Sequence, residues 1–335
     1  MSVLYLPHEA QQLLELSATA PDRSTAERLE ARLAAHYGKR HALLVGDVQQ
    51  AVLAVALAAG VRGYEVVVSP LEARGVAVLS LAGATLVPGI LRSTDLTMDH
   101  HWLDDVCNAR TRMLLASHTH GNATDHEALH DHCTRYGLLH VELGPLGAYD
   151  ALGRAAGACA HVMVVDLSPR QGITAGQGAA IVTSDGRLHD RLVQLCGSEA
   201  RQWQHLGDRS PANLHAAMHP MAIHLLDATW DMQWHRMAAR QHHYARLVRS
   251  LDARFVTKPF RYARASTYDG VRLCARTGMA PELPTKSLRF IFRETGLGGL
   301  EVKWRIPRLV GTLLDALNQY RFAALTSFEK AWPQS

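Results

Sequence analysis

A chain of 335 residues, 47% hydrophobic and 20% charged, has the composition of an ordinary soluble enzyme-sized protein and is long enough to bury a sizeable core, so extended disorder is excluded. The formal net charge of +4 comes without a basic block or an aromatic ladder, which argues against a nucleic-acid partner; no window reaches the roughly 18 uninterrupted apolar residues of a membrane span. The stretch MSVLYLPHEAQQLLEL has no basic n-region, so neither signal peptide nor anchor is expected, and five scattered cysteines without CxxC spacing suit reduced thiols in a cytoplasm.

Along the chain, helix-like and strand-like periodicities alternate. Ser24 to Tyr37 has helical spacing with Ser24 as the expected N-cap, ALLV (42–45) is strand-like, and Val48 to Ala59 is apolar and Ala-rich enough for a helix. EVVVS (65–69) reads as a buried strand, Leu71 to Ala82 as a helix, MLLAS (113–117) as a strand, Ala123 to Tyr136 as a helix and LLHVEL (138–143) as a strand. VMVVDL (162–167) and AAIVT (179–183) add two strands before a helix from about Asp185 to Cys196. Such alternation predicts an α/β fold with a mostly parallel sheet covered by helices on both faces. After about residue 197 the chain turns polar and turn-rich, then predicts a long helix from about Pro220 to Leu251, short strands in VTKPFRYARASTYDGVRLCARTG and SLRFIFRE, and a largely helical ending over Val302 to Ala331.

One segment stands out: Asp166 to Ala179, DLSPRQGITAGQGA, in which a Pro and a basic residue, a short Gly-containing run and a Gly-x-Gly turn (Gly176, Gly178) feed into AIVT. Together with YGKRHALLV (37–45), GYEVVVSP (63–70), AGATLV (82–87), DLTMD (95–99), TRMLLASHTHG (111–121) and NLHAAMHPMA (213–222), it resembles the DegT/DnrJ/EryC1/StrS family of pyridoxal-phosphate sugar aminotransferases. The resemblance runs from about Thr25 to Leu251. It implies aminotransferase fold type I, with a large domain over 1–230 carrying an N-terminal arm at about 1–20, and a linking helix and small C-terminal domain over 231–335. It also implies a homodimer with its sites at the subunit interface.

The family's chemistry needs a lysine amine for the Schiff base. By the resemblance that lysine falls on Gln171, an amide, and the serine of the same segment falls on Asp166. The Gly-Thr pair that cradles the phosphate at a helix N-terminus aligns with Val48 and Gln49, just after Asp47; the ring-stacking aromatic falls near Glu72; the Asp that pairs with the pyridinium nitrogen falls on Leu143, after Glu142. The arginine before the family's His-Pro falls on Ala217. Set together, these positions lead us to expect no cofactor, the pyridoxal phosphate having been lost, and no transamination. Pro284-Thr285-Lys286 mimics the lysine segment but lacks the Gly-x-Gly strand entry.

For the cleft so altered, the sequence nominates Asp166, His120 and Glu142 as acid/base groups and His118, Arg170, Gln171 and Glu72 as pocket residues, with no metal. Two classes stay open. One is a repurposed enzyme acting by acid/base chemistry on a small molecule in specialised-metabolite or amino-sugar biosynthesis; the other is a non-catalytic subunit that pairs with or regulates an active enzyme. His126, His130 and Cys133, at i, i+4 and i+7 of a helix, read as a solvated face, His100-His101 and His242-His243 as surface pairs, and Trp230, Trp234 and Tyr244 as core or dimer packing.

Overall fold

The computed structural model describes residues 23–70, 72–92, 97–118, 123–150, 152–169, 171–210 and 213–250, together with 255–256, 271–276, 285–287 and 320–325. Its helices are α1 (Arg23–His36), α2 (Val48–Ala59), α3 (Ala73–Leu81), α4 (Leu103–Val106), α5 (His126–Tyr136), α6 (Gly186–Cys196), α7 (Glu199–Leu206) and α8 (Pro220–Ser250). The strands are β1 (His41–Val45), β2 (Glu65–Val68), β3 (Thr85–Pro88), β4 (Thr111–Ser117), β5 (Leu139–Pro145), β6 (Val162–Asp166), β7 (Ala179–Thr183), β8 (Phe255–Val256), β9 (Val271–Arg276), β10 (Thr285–Ser287) and β11 (Tyr320–Leu325).

Seven strands form one sheet in the order β1-β7-β6-β5-β4-β2-β3. Only β7 runs against its neighbours, pairing antiparallel with both β1 and β6, so the other six strands point the same way. Apolar runs such as EVVV and AAIVT are buried along their whole length because helices cover both faces of the sheet. One face, with Val45, Val68, Leu115, Leu143, Val164 and Ile181, packs against α2, α3 and α6. The other packs against α1 and α8 at one end, through Leu44, Val165 and Ala180, and against α4 and α5 at the other, through Val67, Leu114 and Leu129. A second sheet, antiparallel and ordered β10-β11-β9-β8, is built from the later residues.

Several expectations change at this point. α1 begins at Arg23, so Ser24 lies inside the helix. The polar stretch after 197 contains α7, capped by Ser198, which accepts from Arg201 N, and anchored by the fully buried Gln202. Tyr320 to Leu325 lies in β11, where the ending reads as helical: YRFAAL has no polar face to keep a helix solvated and pairs with VRLCAR instead. The long helix expected from about Pro220 to Leu251 is present as α8. On α5, His126 and Cys133 are buried, so their flank is not solvated; His126 Nε2 lies 2.9 Å from Asp150 Oδ2 and its Nδ1 accepts from Gly157 N. Trp230 and Trp234 pack on the α1/α8 core as expected, whereas the side chain of Tyr244, the His242-His243 pair and most of SLRFIFRE lie outside the described residues.

Candidate functional site

The six co-directional strands deliver their C-terminal ends to one edge, where open α/β sheets ordinarily hold their ligands. Four loops meet the eye of a chemist there: Gly46-Asp47 after β1, Ser69 to Glu72 after β2, His118 after β4, and the segment from Asp166 after β6.

Asp47 is the N-cap of α2. Its extended backbone turns the carboxylate onto the helix start, and Oδ1 accepts from Gln49 N at 2.6 Å, so one of the donors that could face an anion is already taken by the chain. Val48 is buried in the core and Gln49 is exposed. Glu72 caps α3 in the same manner, accepting from Gly75 N at 3.3 Å through Oε1, while Oε2 lies 3.5 Å from Ser117 Oγ. Leu143 fills the space beneath α3: a methyl group on Gly75 would stand 2.4 Å from its Cδ2. The side chain at that position is therefore a packed hydrocarbon that offers no hydrogen bond.

After β6, Asp166 organises its own loop. Oδ1 accepts from Ser168 N at 2.8 Å and Oδ2 from Gln171 Nε2 at 2.5 Å. Thr174 is held from α8 by Gln233, whose Oε1 accepts from Thr174 N at 2.6 Å and whose Nε2 donates to Thr174 O at 2.9 Å. The Gly-x-Gly turn has a packing reason. Gly178 has φ 139°, and a Cβ there would lie 2.3 Å from Met218 Cε, so only glycine lets the loop pass between Val45 and Met218 into β7.

Behind the edge lies a polar array inside the layer. His140 and Glu142 alternate with Val141 and Leu143 along β5, so they face the α5 side while the apolar pair faces α3. His118 Nε2 stands 3.1 Å from Glu142 Oε2 and His140 Nε2 3.1 Å from Glu142 Oε1; the side chains of all three residues have no exposed surface. Thr124 Oγ1 donates to Glu142 Oε1 at 2.9 Å, and Thr124 N donates to His118 Nδ1 at 3.3 Å, which leaves the Nε2 proton of His118 facing the carboxylate. The imidazole–carboxylate contacts are close but off the ring N–H axes, so the attraction is electrostatic more than a formed hydrogen bond. Burial pushes the Glu142 carboxyl up, but the two imidazoles outweigh it and hold the group well below its ordinary range. Gly144 makes room for this arrangement, since a Cβ there would sit 2.5 Å from His118 Cδ2.

The predicted residues thus separate into two sets. Asp166 and Gln171 meet directly in one loop, and His118 meets Glu142 in the layer behind. Glu142 does not line the cleft with Asp166, as the sequence led us to expect; enclosed by His118, Thr124 and His140, it acts on its neighbours. His120 and Arg170 lie outside the described residues. Thr124 and His140 were absent from the expected site, although His140 is two residues from Glu142 in a strand, a spacing that puts both on one face. Elsewhere, Asp99, His100 and His101 have ligand atoms within 4.8 Å of one another, with His101 Nδ1 2.9 Å from Asp99 Oδ1 and His100 Nδ1 3.6 Å from Asp125 Oδ2.

A seven-stranded, mostly parallel sheet with helices on both faces and a ligand edge assembled from its strand ends defines an aminotransferase-like protein of fold type I. The family model described as the DegT/DnrJ/EryC1/StrS aminotransferase family matches residues 8–263, and the chain belongs to that family. It is 31% identical over 182 residues, 52% of this chain and 48% of the relative, to the dTDP-3-amino-3,4,6-trideoxy-alpha-D-glucose transaminase of Streptomyces venezuelae. It is 26% identical over 243 residues, 70% of this chain and 64% of the relative, to a pleiotropic regulatory protein of Geobacillus stearothermophilus. The chain therefore spans about half to two thirds of these relatives. Among solved structures, a DegT DnrJ EryC1 StrS aminotransferase from Brucella abortus superposes with a TM-score of 0.76 at 15% identity, covering 94% of this chain and 90% of that one. The E. coli GDP-4-keto-6-deoxy-D-mannose-3-dehydratase with bound hydrated PLP gives 0.74 at 13% identity, covering 96% and 93%.

These matches overturn the expectation that the chain takes no cofactor. Its family is one of aminotransferases and its structural neighbours include PLP- and PMP-bound proteins, which point to PLP as the group of this fold; nothing in the site shows its loss. The residues present do not fit a cofactor linked through position 171, because the Gln171 amide cannot form an imine and is bonded to Asp166.

Proposed function

We propose that this member of the family acts on a nucleotide-linked keto- or amino-sugar in specialised-metabolite or amino-sugar biosynthesis, without a lysine relay at position 171. The observation that carries the reading is the Asp166–Gln171 pair at the end of β6, a carboxylate and an amide 2.5 Å apart where transamination needs an amine. The relative that acts on a dTDP-linked amino-sugar supports the substrate class. PLP or its amine form, when bound, supplies an electron sink for a substrate carbon. The chain's own residues supply the polar frame: Asp166 accepts hydrogen bonds at the cleft, and behind it the buried imidazole of His118, oriented by Thr124, packs against Glu142. Glu142 and His140 are positioning residues, since neither has surface to offer a ligand.

A direct test is titration of the purified protein with a dTDP-linked keto-sugar and PMP, following binding and turnover by calorimetry and product analysis. Saturable sugar binding that Asp166→Asn weakens at least tenfold supports the reading; wild-type binding in that variant, or no binding at all, contradicts it. A second reading, a non-catalytic subunit that pairs with an active family member, is favoured by Gln171, which puts an amide bonded to Asp166 where the resemblance places the reactive lysine. Co-expression with an active family member and light scattering separates the two: the first reading gives a self-associated homodimer that binds sugar alone, the second a mixed dimer.

A further inference from the structure

The opposite edge of the sheet, at the N-terminal ends of the parallel strands, holds a cavity of about 760 Å³. That is a volume typical of sites for nucleotide- or drug-sized ligands. Its lining brings together Lys39 before β1, Arg112 on β4, and Arg187 and Arg191 on α6, with His130 and His161 between them. Against four formal positive charges it has one carboxylate, Asp185, which is spent capping α6 by accepting from Arg187 N and Leu188 N at 2.9 and 3.1 Å. The whole chain carries a net charge of only +4, so this one cavity concentrates most of the excess.

Among the described residues none of the four cations has an ion-pair partner. Lys39 Nζ donates to Ala160 O at 2.6 Å, and Arg112 and Arg191 donate to Ala59 O and Ala58 O at 3.4 and 3.1 Å. Each contact fixes a side chain at the rim without neutralising it. Arg112, which also lies 5.7 Å over the Tyr64 ring, and Arg191 each bond one carbonyl at the end of α2 and have no further hydrogen-bond partner among the described residues, a fork suited to phosphoryl oxygens. Two helix C-termini face the cavity, α2 at Ala58 and Ala59 and α5 at Thr134 and Gly137; their partial negative charge opposes an anion, and Arg112 and Arg191, bonded to the α2 carbonyls, offset it there.

We propose that this cavity binds a diphosphate-bearing small molecule, separate from the site at the strand C-terminal ends, with Arg112, Arg187 and Arg191 contacting the phosphoryl groups. The diphosphate is the shared chemistry; inorganic pyrophosphate and a nucleotide are its two sources. Calorimetric titration of the full chain with pyrophosphate and with ADP, at low and high salt, tests it. Saturable one-to-one binding that weakens with salt is expected, with a loss of about tenfold for each arginine removed. Arg187 is exposed and has no side-chain hydrogen bond or ion pair among the described residues, so Arg187→Gln is expected to leave folding intact; Arg191→Gln is checked by thermal melting; Arg209→Gln, an exposed arginine elsewhere, is the control that keeps wild-type affinity. Tighter binding of ADP than of pyrophosphate identifies a nucleotide as the source, and equal binding identifies the inorganic ion. Absence of saturable binding by either, or wild-type affinity in the Arg187→Gln, Arg191→Gln double variant, overturns the proposal.

Discussion

Glu142 carries a charge with no exposed surface, and an ionised carboxylate so placed persists only because two imidazoles and a threonine hydroxyl surround it. Removing it leaves two histidines facing an empty space, so Glu142→Ala is expected to cost about 3–5 kcal/mol of stability by denaturant unfolding. Glu142→Gln keeps the Thr124 contact and is expected to cost less; equal losses contradict the assignment of charge to this group. Acid sensitivity follows from the neighbouring chemistry. Burial lowers the pKa of His36, His161 and His189 from 6.5 to about 4, with His130 and His140 adding to the effect at His161 and His41 and His205 at His189. The folded state thus prefers these groups neutral: their contribution is full above the unfolded value of about 6.5 and is lost as pH falls towards 4. Glu142, depressed in the fold, adds a further loss below its ordinary value of 4.5. Urea midpoints should therefore drop between pH 7.5 and 5, before most carboxylates titrate; a flat profile there contradicts the burial argument.

At the scale of elements, two local devices shape the edge. Asp47 caps α2, and Asp47→Ala should cost about 1 kcal/mol in unfolding experiments. Gly178 threads between Val45 and Met218, so Gly178→Ala, strained both by φ 139° and by the 2.3 Å approach, should lower stability by about 1–3 kcal/mol; a neutral result contradicts the tight passage. Most elements of the large sheet are readable in the chain because buried parallel strands are continuous apolar runs and their helices are periodic. α7 escaped because its eight residues are mostly polar and its burial rests on one amide, Gln202, bonded to the carbonyls at the end of α6. β11 escaped because YRFAAL has no alternation, and its partner lies more than forty residues away in sequence. The His118–Glu142–His140 array was half visible. Glu142 and His118 were nominated as cleft residues, but which face β5 turns to the sheet interior depends on packing that no local pattern encodes.

For the whole molecule, the fold and the chemistry answer to different residues. Dozens of apolar positions specify the sheet, and they hold whatever stands at 171; the chemistry of an imine hangs on a single amine. The chain has five lysines, of which Lys39 lies at the far edge of the sheet, bonded to Ala160 O, and Lys286 belongs to β10. We further propose that the chain self-associates, as its resemblance to the family implies: light scattering should return twice the mass of 36.8 kDa, and a single-chain mass would contradict this. A family member with Gln171 bonded to Asp166 is expected to form no lysine imine at its site. Incubation with PLP, reduction with borohydride and peptide mapping measures this most directly: the wild type should carry no stoichiometric pyridoxyl-lysine while Gln171→Lys gains one at 171, and a single, fully modified lysine in the wild type would contradict the account.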